Sequence, residues 1–276
     1  QLLSMVRYTL QHPVSSLRSM SLPRLRKVLS HIRHSSAQDL EVWVNARFEK
    51  PHDKPDDWLE PSDLPASDEV LAFPIYDNPL VSILIPVYNE WVVTHRCLWS
   101  VLQHTRIPFE VIVADDCSTD QTRNIGEYVT GIRVVRQVEN QGFLKNCNLA
   151  AEHASGKYLL FLNNDTAVTS NWLEPLVELF DRASVGVVGP KLLFPNGKLQ
   201  EAGGIVWQDA SGWNFGRADD PRAPQYNYVR ETDYVSGAAL MIRQSLWSDL
   251  GGFDEVFVPA YYEDTDLCFQ ARAQGY

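Results

Sequence analysis

Three short polar clusters each follow directly on an apolar run: Pro86-Val87-Tyr88-Asn89-Glu90, Asp115-Asp116-Cys117-Ser118-Thr119-Asp120 and Asn163-Asn164-Asp165. A fourth, Tyr261-Tyr262-Glu263-Asp264-Thr265-Asp266, opens a helical pattern near the end of the sequence. A carboxylate such as Asp115, fixed at the end of a strand, can accept the imide N3–H of a pyrimidine ring. Tyr88 can cover one face of such a ring, although Asn89 as a helix cap with Tyr88 as packing is the simpler reading of that cluster alone. Asp120 suits the cap of the next helix, and all three acids of its cluster equally read as loop and cap residues. Asp165 offers one hard oxygen ligand to magnesium or manganese, which need few protein ligands when a diphosphate supplies the rest. The same triplet also reads as a polar turn. In the fourth cluster a carboxylate can take the proton of a weakly acidic hydroxyl as general base. Acids there also complement the positive end of a helix.

These residues share a crevice only if the elements before them are parallel strands of one sheet. Val81–Val87 is a continuous apolar run, the pattern of a strand buried on both faces. The sequence then predicts a helix to about Gln103, strands at Glu110–Ala114 and Ile132–Val135, a helix at Phe143–His153, and a strand at Lys157–Leu162. A helix at Asn171–Phe180 and a strand at Val185–Val188 follow. This alternation predicts an α/β fold with a doubly wound, mostly parallel sheet. In such sheets ligands bind beyond the carboxyl ends of the strands, where the polar clusters fall. Beyond it, Pro195-Asn196-Gly197 signals a hairpin, and residues 207–233 read as one long functional loop. Tyr234–Arg243 reads as a strand interrupted at Ser236-Gly237, and Asp264–Gln274 as a terminal helix.

The N-terminal part has another texture. Residues 1–34 contain Arg7, Arg18, Arg24, Arg26, Lys27 and Arg33 and no acid. Residues 1–50 read as a basic, helical extension, and 51–78 as an acidic, proline-rich linker or a strap laid over a surface, with the main domain at 79–276. The basic opening is suited to packing on its own protein, to a further domain, or to peripheral contact with an anionic membrane. The formal net charge of -11 argues against nucleic acid as the main partner. Cys97, Cys117, Cys147 and Cys268 form no C-x-x-C pair and are expected as free thiols, consistent with a reducing, cytoplasmic setting, which the basic N-terminus allows to be at the inner face of the membrane. The histidines lack zinc-ligand spacing, and no apolar run reaches the roughly 18–20 residues that span a bilayer. A nucleotidyltransferase would need a Gly- and Lys/Arg-rich phosphate loop after the first strand, and none is present.

From Val81 onward the chain resembles the inverting family 2 glycosyltransferases with a GT-A fold, most closely their rhamnosyltransferase-like branch. The pieces that carry the resemblance stand in order: Val81-Ser82-Ile83-Leu84-Ile85-Pro86-Val87-Tyr88-Asn89, Asp115-Asp116-Cys117-Ser118-Thr119-Asp120, Asn140-Gln141-Gly142-Phe143 and Leu162-Asn163-Asn164-Asp165. Ser236-Gly237-Ala238-Ala239, Gly251-Gly252-Phe253-Asp254-Glu255 and Glu263-Asp264-Thr265-Asp266-Leu267 complete them. The resemblance implies a UDP- or dTDP-sugar donor, Mg2+ or Mn2+, and a glycan or lipid-linked acceptor in cell-surface polysaccharide synthesis. It implies that Asp115 holds the base, with Pro86 and Tyr88 lining that pocket, and that Glu90 and Asn164 belong to the donor-binding set. Asn140, Gly142 and Asn148 would shape the donor pocket. Asn163 and Asp165 match the outer positions of the D-x-D motif, with Asp165 the metal ligand and Asn163 near ribose or diphosphate. Asp264 matches the catalytic base, with Glu263 beside it, and Gly237 and Ala238 lie where backbone approaches sugar. Trp213 is expected to stack on an acceptor sugar; Trp207 and Tyr261 are further candidates, Trp207 reading more simply as packing. Two departures stand out: Asn163 replaces the first acid of D-x-D, and the sequence stops at Tyr276, where family members usually continue. The alternative is a truncated or degenerate nucleotide-sugar-binding module.

Overall fold

The computed structural model describes residues 68–276. The basic extension and most of the proline-rich segment lie outside the described residues. In chain order the elements are β1 (Leu71–Ala72), β2 (Val81–Val87), α1 (Trp91–His104), β3 (Phe109–Asp115), a 3-10 turn (Gln121–Glu127), β4 (Val129–Thr130) and β5 (Arg133–Arg136). Then come α2 (Phe143–Glu152), β6 (Tyr158–Leu162), α3 (Glu174–Leu179), β7 (Val187–Val188), β8 (Leu192–Leu193), β9 (Leu199–Glu201), β10 (Gly204–Val206) and β11 (Gly212–Asn214). The chain ends with β12 (Ala239–Arg243), α4 (Gln244–Leu250) and α5 (Glu263–Ala273).

Six strands form one sheet in the order β5-β3-β2-β6-β12-β7. β5, β3, β2 and β6 are parallel, and β12 runs antiparallel between β6 and β7. Side chains of the central strands alternate between two cores. Val81, Ile83, Ile85 and Val87 of β2 join Val111, Val113, Leu160 and Leu162 on one face, with Leu98 and Val101 of α1. Leu84, Ile112, Leu159 and Phe161 point to the other face, against Leu144 and Cys147 of α2, Trp247 of α4 and Leu267 of α5. With both faces covered, strands need apolar side chains at every position rather than alternate ones. That is why β2 reads as one unbroken apolar run.

β1 lies N-terminal of residue 79, the expected start of the domain. It pairs in parallel with β4, and Leu71 and Phe73 are buried in the first core, so this stretch is a strap packed on the sheet's flank. The helix after β3 is the short 3-10 turn, and α3 spans only Glu174–Leu179. The long loop predicted over 207–233 is partly ordered instead: β10 and β11 pair antiparallel, with Trp213 opposite Ile205. β12 begins only at Ala239, because Tyr234 bridges to Gly204 and Ser236-Gly237 turn before the sheet. No helix among the described residues is long and apolar enough to cross a membrane.

Candidate active site

The ladder between β2 and β6 ends at Leu84–Phe161, whereas β2 stays paired to β3 as far as Val87–Asp115. The end of β2 therefore parts from β6, and Pro86, which has no N–H to donate, sits where that side of the ladder has stopped. The same place is the switch point of the sheet, since β3 and β5 extend to one side of β2 and β6 to the other. A crevice of about 240 Å³ opens there, lined by Pro86, Val87, Tyr88, Asp116, Phe143, Asn146, Asn163, Asn164 and Asp165. Antiparallel β12 starts at this end, with Ala239 opposite Leu162, and the Asn163 N–H donates to the Ala238 carbonyl at 2.9 Å. Four segments distant in sequence thus meet at one edge.

The loops after β2 and β3 are cross-linked. Asn89 does not cap α1. Its backbone is in the left-handed region, as is that of Glu90, which occupies the cap position. The Asn89 Oδ1 instead accepts from the backbone N–H groups of Thr119 (2.8 Å) and Asp120 (3.2 Å). Asp120 caps two elements at once: Oδ1 accepts from Thr122 N–H, and Oδ2 from the N–H of Trp91, which opens α1. Glu90 is exposed and faces an open depression of about 640 Å³ with Trp91, Val92 and Thr119–Gln121. Glu90 does not line the crevice.

Asp115 is fully buried. Its Oδ1 accepts from Ser118 N–H at 2.8 Å, and its Oδ2 from Arg136 Nε at 2.6 Å. Arg136 stands opposite Asp115 at the end of β5 and also donates to the Arg123 carbonyl. A carboxylate offers about four acceptor positions, so two remain beyond these contacts. Asp116, to which the sequence reading assigned no role, holds the turn before α2. Its two oxygens accept from Gln141 N–H (2.7 Å) and Gly142 N–H (2.9 Å). Gly142 has φ +85°, so a side chain there would be strained. Asn140 reaches only the Asp116 carbonyl, at 3.5 Å. Asn146 was also not foreseen. It is buried, donates to the Ala114 carbonyl at 2.6 Å, and its Oδ1 has no protein partner at the crevice wall. Asn148 was expected at the donor pocket but does not line the crevice. Both ends of its amide are spent on the backbone of Phe253, tying α2 to the Gly251-Gly252 turn.

On the β6 side, Asn164 donates to Thr94 Oγ1 of α1. Cys97 of α1 packs under this turn, and burial pushes its thiol up to about 12. Asp165 is exposed at the crevice, with no hydrogen bond or ion pair to its carboxylate. Among the described residues no group of three or more His, Cys, Asp or Glu could cage a metal. What is present, one carboxylate beside the Asn163 and Asn164 amides, fits a hard cation that brings other oxygen ligands with it. It does not fit zinc.

The fourth cluster approaches from the far side of β12. The Asp264 Oδ2 accepts from Gly237 N–H at 2.8 Å, and its Oδ1 from Thr265 N–H. A Cβ on Gly237 would lie 3.6 Å from the Phe143 ring and 3.7 Å from Asp264. Gly237 thus sits between the crevice wall and Asp264. Glu263, by contrast, is buried, and its charge acts on the Cys147 thiol of α2, so it faces the interior rather than a sugar site. Tyr262 donates from its hydroxyl to the Ala210 carbonyl at 3.1 Å, tying the β10–β11 hairpin to the start of α5. Trp207 and Trp213 of that hairpin, and Tyr261, are substantially exposed.

A mostly parallel sheet with a crevice at its switch point, and with Asp116 and Asp165 of two neighbouring strand ends lining it, is a GT-A type architecture. The family model for glycosyl transferase family 2 matches residues 82–249, and the chain belongs to that family. It is 35% identical over 217 residues to the O-antigen biosynthesis protein RfbC of Myxococcus xanthus, covering 74% of this chain and 17% of that protein. It is 38% identical over 105 residues to the putative teichuronic acid biosynthesis glycosyltransferase TuaG of Bacillus subtilis, covering 37% of this chain and 42% of the relative. Among solved structures, GalNAc-T7 with UDP, GalNAc and Mn2+ aligns with a TM-score of 0.55 at 16% identity, over 71% of this chain and 41% of that one. The mannosyltransferase PcManGT of Pyrobaculum calidifontis, in complex with GDP-Man and Mn2+, aligns at 0.52 and 20% identity, over 91% and 63%. These two likenesses bear on the fold. The chain spans well under a third of the length of RfbC.

Proposed function

We propose that this domain is an inverting glycosyltransferase that moves a sugar from a UDP- or dTDP-sugar to a hydroxyl of a glycan or lipid-linked acceptor in cell-surface polysaccharide synthesis. The observation that carries it is that Asp165 lines the crevice, while Asp115 stands buried at the end of the strand beside it and Asp264 binds Gly237 against its Phe143 wall, each carboxylate with a different environment. Asp115 is buried and oriented by Ser118 and Arg136, the setting of a fixed acceptor that reads a base. Pro86 and Tyr88 line the adjoining wall. Asp165 is exposed and unspent, the setting of a ligand. Asp264 is aimed by Gly237, the setting of a base whose lone pairs must meet an incoming hydroxyl.

Asp165, with Asn163, would hold Mg2+ or Mn2+ against the donor diphosphate, where the cation supplies charge stabilisation to the departing nucleoside diphosphate. The protein's own residues do the rest. Asp116 fixes Gln141-Gly142 so that the backbone beside the crevice is preorganised. Asp264 removes the acceptor proton as the hydroxyl attacks the anomeric carbon from the face opposite the leaving group, which inverts the configuration. In this reading Trp213, exposed on the β10–β11 hairpin that Tyr262 ties down, stacks on the apolar face of an acceptor sugar. UDP-, dTDP- and GDP-sugars incubated with a panel of acceptors, with and without Mn2+, test this. Transfer from a UDP- or dTDP-sugar with an inverted anomeric centre is expected. Nucleotide-sugar binding without transfer or hydrolysis would favour a binding module instead.

A further inference from the structure

Asn146 stands in the first turns of α2 and lines the crevice, yet it is only 1% exposed. Its Nδ2 donates to the Ala114 carbonyl at 2.6 Å. A carbonyl can only accept, so this contact fixes which end of the amide carries the NH2. Oδ1 is the other end, and it meets no protein donor. The backbone around it is held. Asp116, two residues beyond Ala114, accepts from Gln141 and Gly142 N–H at 2.7 and 2.9 Å, and the Asn146 N–H donates to the Gly142 carbonyl at 3.1 Å. The start of α2 is thus pinned to the end of β3 by the Asp116 carboxylate and by the Asn146 amide together. Holding the Ala114 carbonyl needs only an N–H. It gives no reason to bury an acceptor beside it, and a buried acceptor without a donor is costly.

The chemistry of the missing partner follows from Oδ1 itself. It is a neutral acceptor with two lone pairs, so it calls for an O–H or N–H. Phosphate oxygens are acceptors too and are turned away. Under the proposed function the base lies at Asp115, the residue after Ala114, and the diphosphate at Asp165, which lines the same crevice as Asn146. The part of a nucleotide that joins base to diphosphate is the pentose, and its donors are hydroxyls. We propose that Asn146 is a specificity-determining residue for the donor, its Oδ1 accepting from a ribose hydroxyl. This rests on the reading of the crevice as a nucleotide-sugar site. It also sharpens that reading, because dTDP lacks the 2′-hydroxyl: which hydroxyl Asn146 accepts decides whether the pocket separates UDP- from dTDP-sugars.

Calorimetry on the full chain tests this with UDP, 2′-deoxy-UDP and 3′-deoxy-UDP, each with and without Mn2+. One of the two deoxy nucleotides should bind the wild type about tenfold more weakly than UDP, by the same factor with and without Mn2+. Asn146→Ala should bind UDP about as weakly as the wild type binds that deoxy nucleotide, and should lose nothing more when the hydroxyl is removed. A loss at the 2′ position selects UDP-sugars; a loss at the 3′ position admits both donors and supports the same contact. Two deoxy nucleotides that bind the wild type as UDP does overturn the proposal. So does an Asn146→Ala protein that still loses affinity with the hydroxyl, since its defect would then come only from the freed Ala114 carbonyl. A loss that appears only with Mn2+ overturns it in favour of Oδ1 as a cation ligand. The wild-type comparison stands even where Asn146→Ala fails to fold. A wild type that binds no UDP at all takes down the nucleotide reading as well.

Discussion

The sheet that lines the crevice and the short-stranded region between β7 and α5 are built by different means. The side formed by β2, β3 and β6 rests on strands of five to seven residues in continuous register, and its functional loops are braced by side chains that accept backbone N–H groups: Asn89, Asp115, Asp116 and Asp120. The side formed by β8 to β11 and the start of α5 has strands of two or three residues, and its backbone turns at positive φ at Gly203, Ala210, Gly216, Ala218, Tyr261 and Tyr262. It is held by side-chain ties, such as Tyr262 to Ala210, Thr232 to the Gly204 carbonyl and Asp233 to Val206 N–H and Arg272. A rigid wall suits a nucleotide whose shape never varies. Short strands can be changed loop by loop without disturbing the sheet, which under the proposed function suits the acceptor.

The sharpest way to break this division is at Asp264, which belongs to the second side and, under the proposed function, acts on the first. Asp264→Asn keeps the size while removing the base, and its one amide oxygen can still accept from Gly237 N–H if the NH2 turns to the Thr265 side. Turnover is expected to fall about a thousandfold, with nucleotide affinity by calorimetry unchanged. If affinity falls in parallel with turnover, the two sides are not separable. The next largest effect is expected at Asp116. Asp116→Ala strips the partners from Gln141 and Gly142 N–H and should cost about 2–4 kcal/mol of stability, read from urea unfolding, together with weakened donor binding. A variant as stable as wild type would mean that the Asn140–Gly142 turn is not braced by this carboxylate.

What could be read from the sequence follows the same division. Val81–Val87 matches β2 residue for residue, because a strand buried on both faces leaves an unbroken apolar run. The family resemblance rested on residues at the ends of such strands, and the fold and family it implied are those found. The β10–β11 hairpin was hidden, because Gly212-Trp213-Asn214 and the residues before it have no apolar period to detect. Asn89 as a cap failed for a related reason: an Asn at the start of a helix looks the same whether it bonds its own helix or the neighbouring loop. Arg136 was missed because it works through a partner distant in sequence, Asp115. Arg136 left one faint sign, a base at the end of a strand predicted to lie beside one ending in acids.

Asp165 tests whether the rigid side needs a cation. Asp165→Ala should weaken nucleotide binding about tenfold when Mn2+ is present and hardly at all when it is absent. Equal affinity in both proteins with Mn2+ would remove Asp165 from the metal site.

The smallest effect is expected at Tyr262, and it bears on the comparison most directly. Tyr262→Phe deletes only the hydroxyl that reaches the Ala210 carbonyl, at the exposed tip of the hairpin. The lost bond is worth about 0.5–1.5 kcal/mol, and water can replace the donor, so the melting temperature should barely move. If the hairpin carries the acceptor, that small loosening should appear as a several-fold rise in acceptor KM with donor KM and kcat unchanged. Should donor KM rise instead, the hairpin would belong to the nucleotide side, and the boundary between the two walls would have to be redrawn through Gly237, where Phe143 and Asp264 already meet.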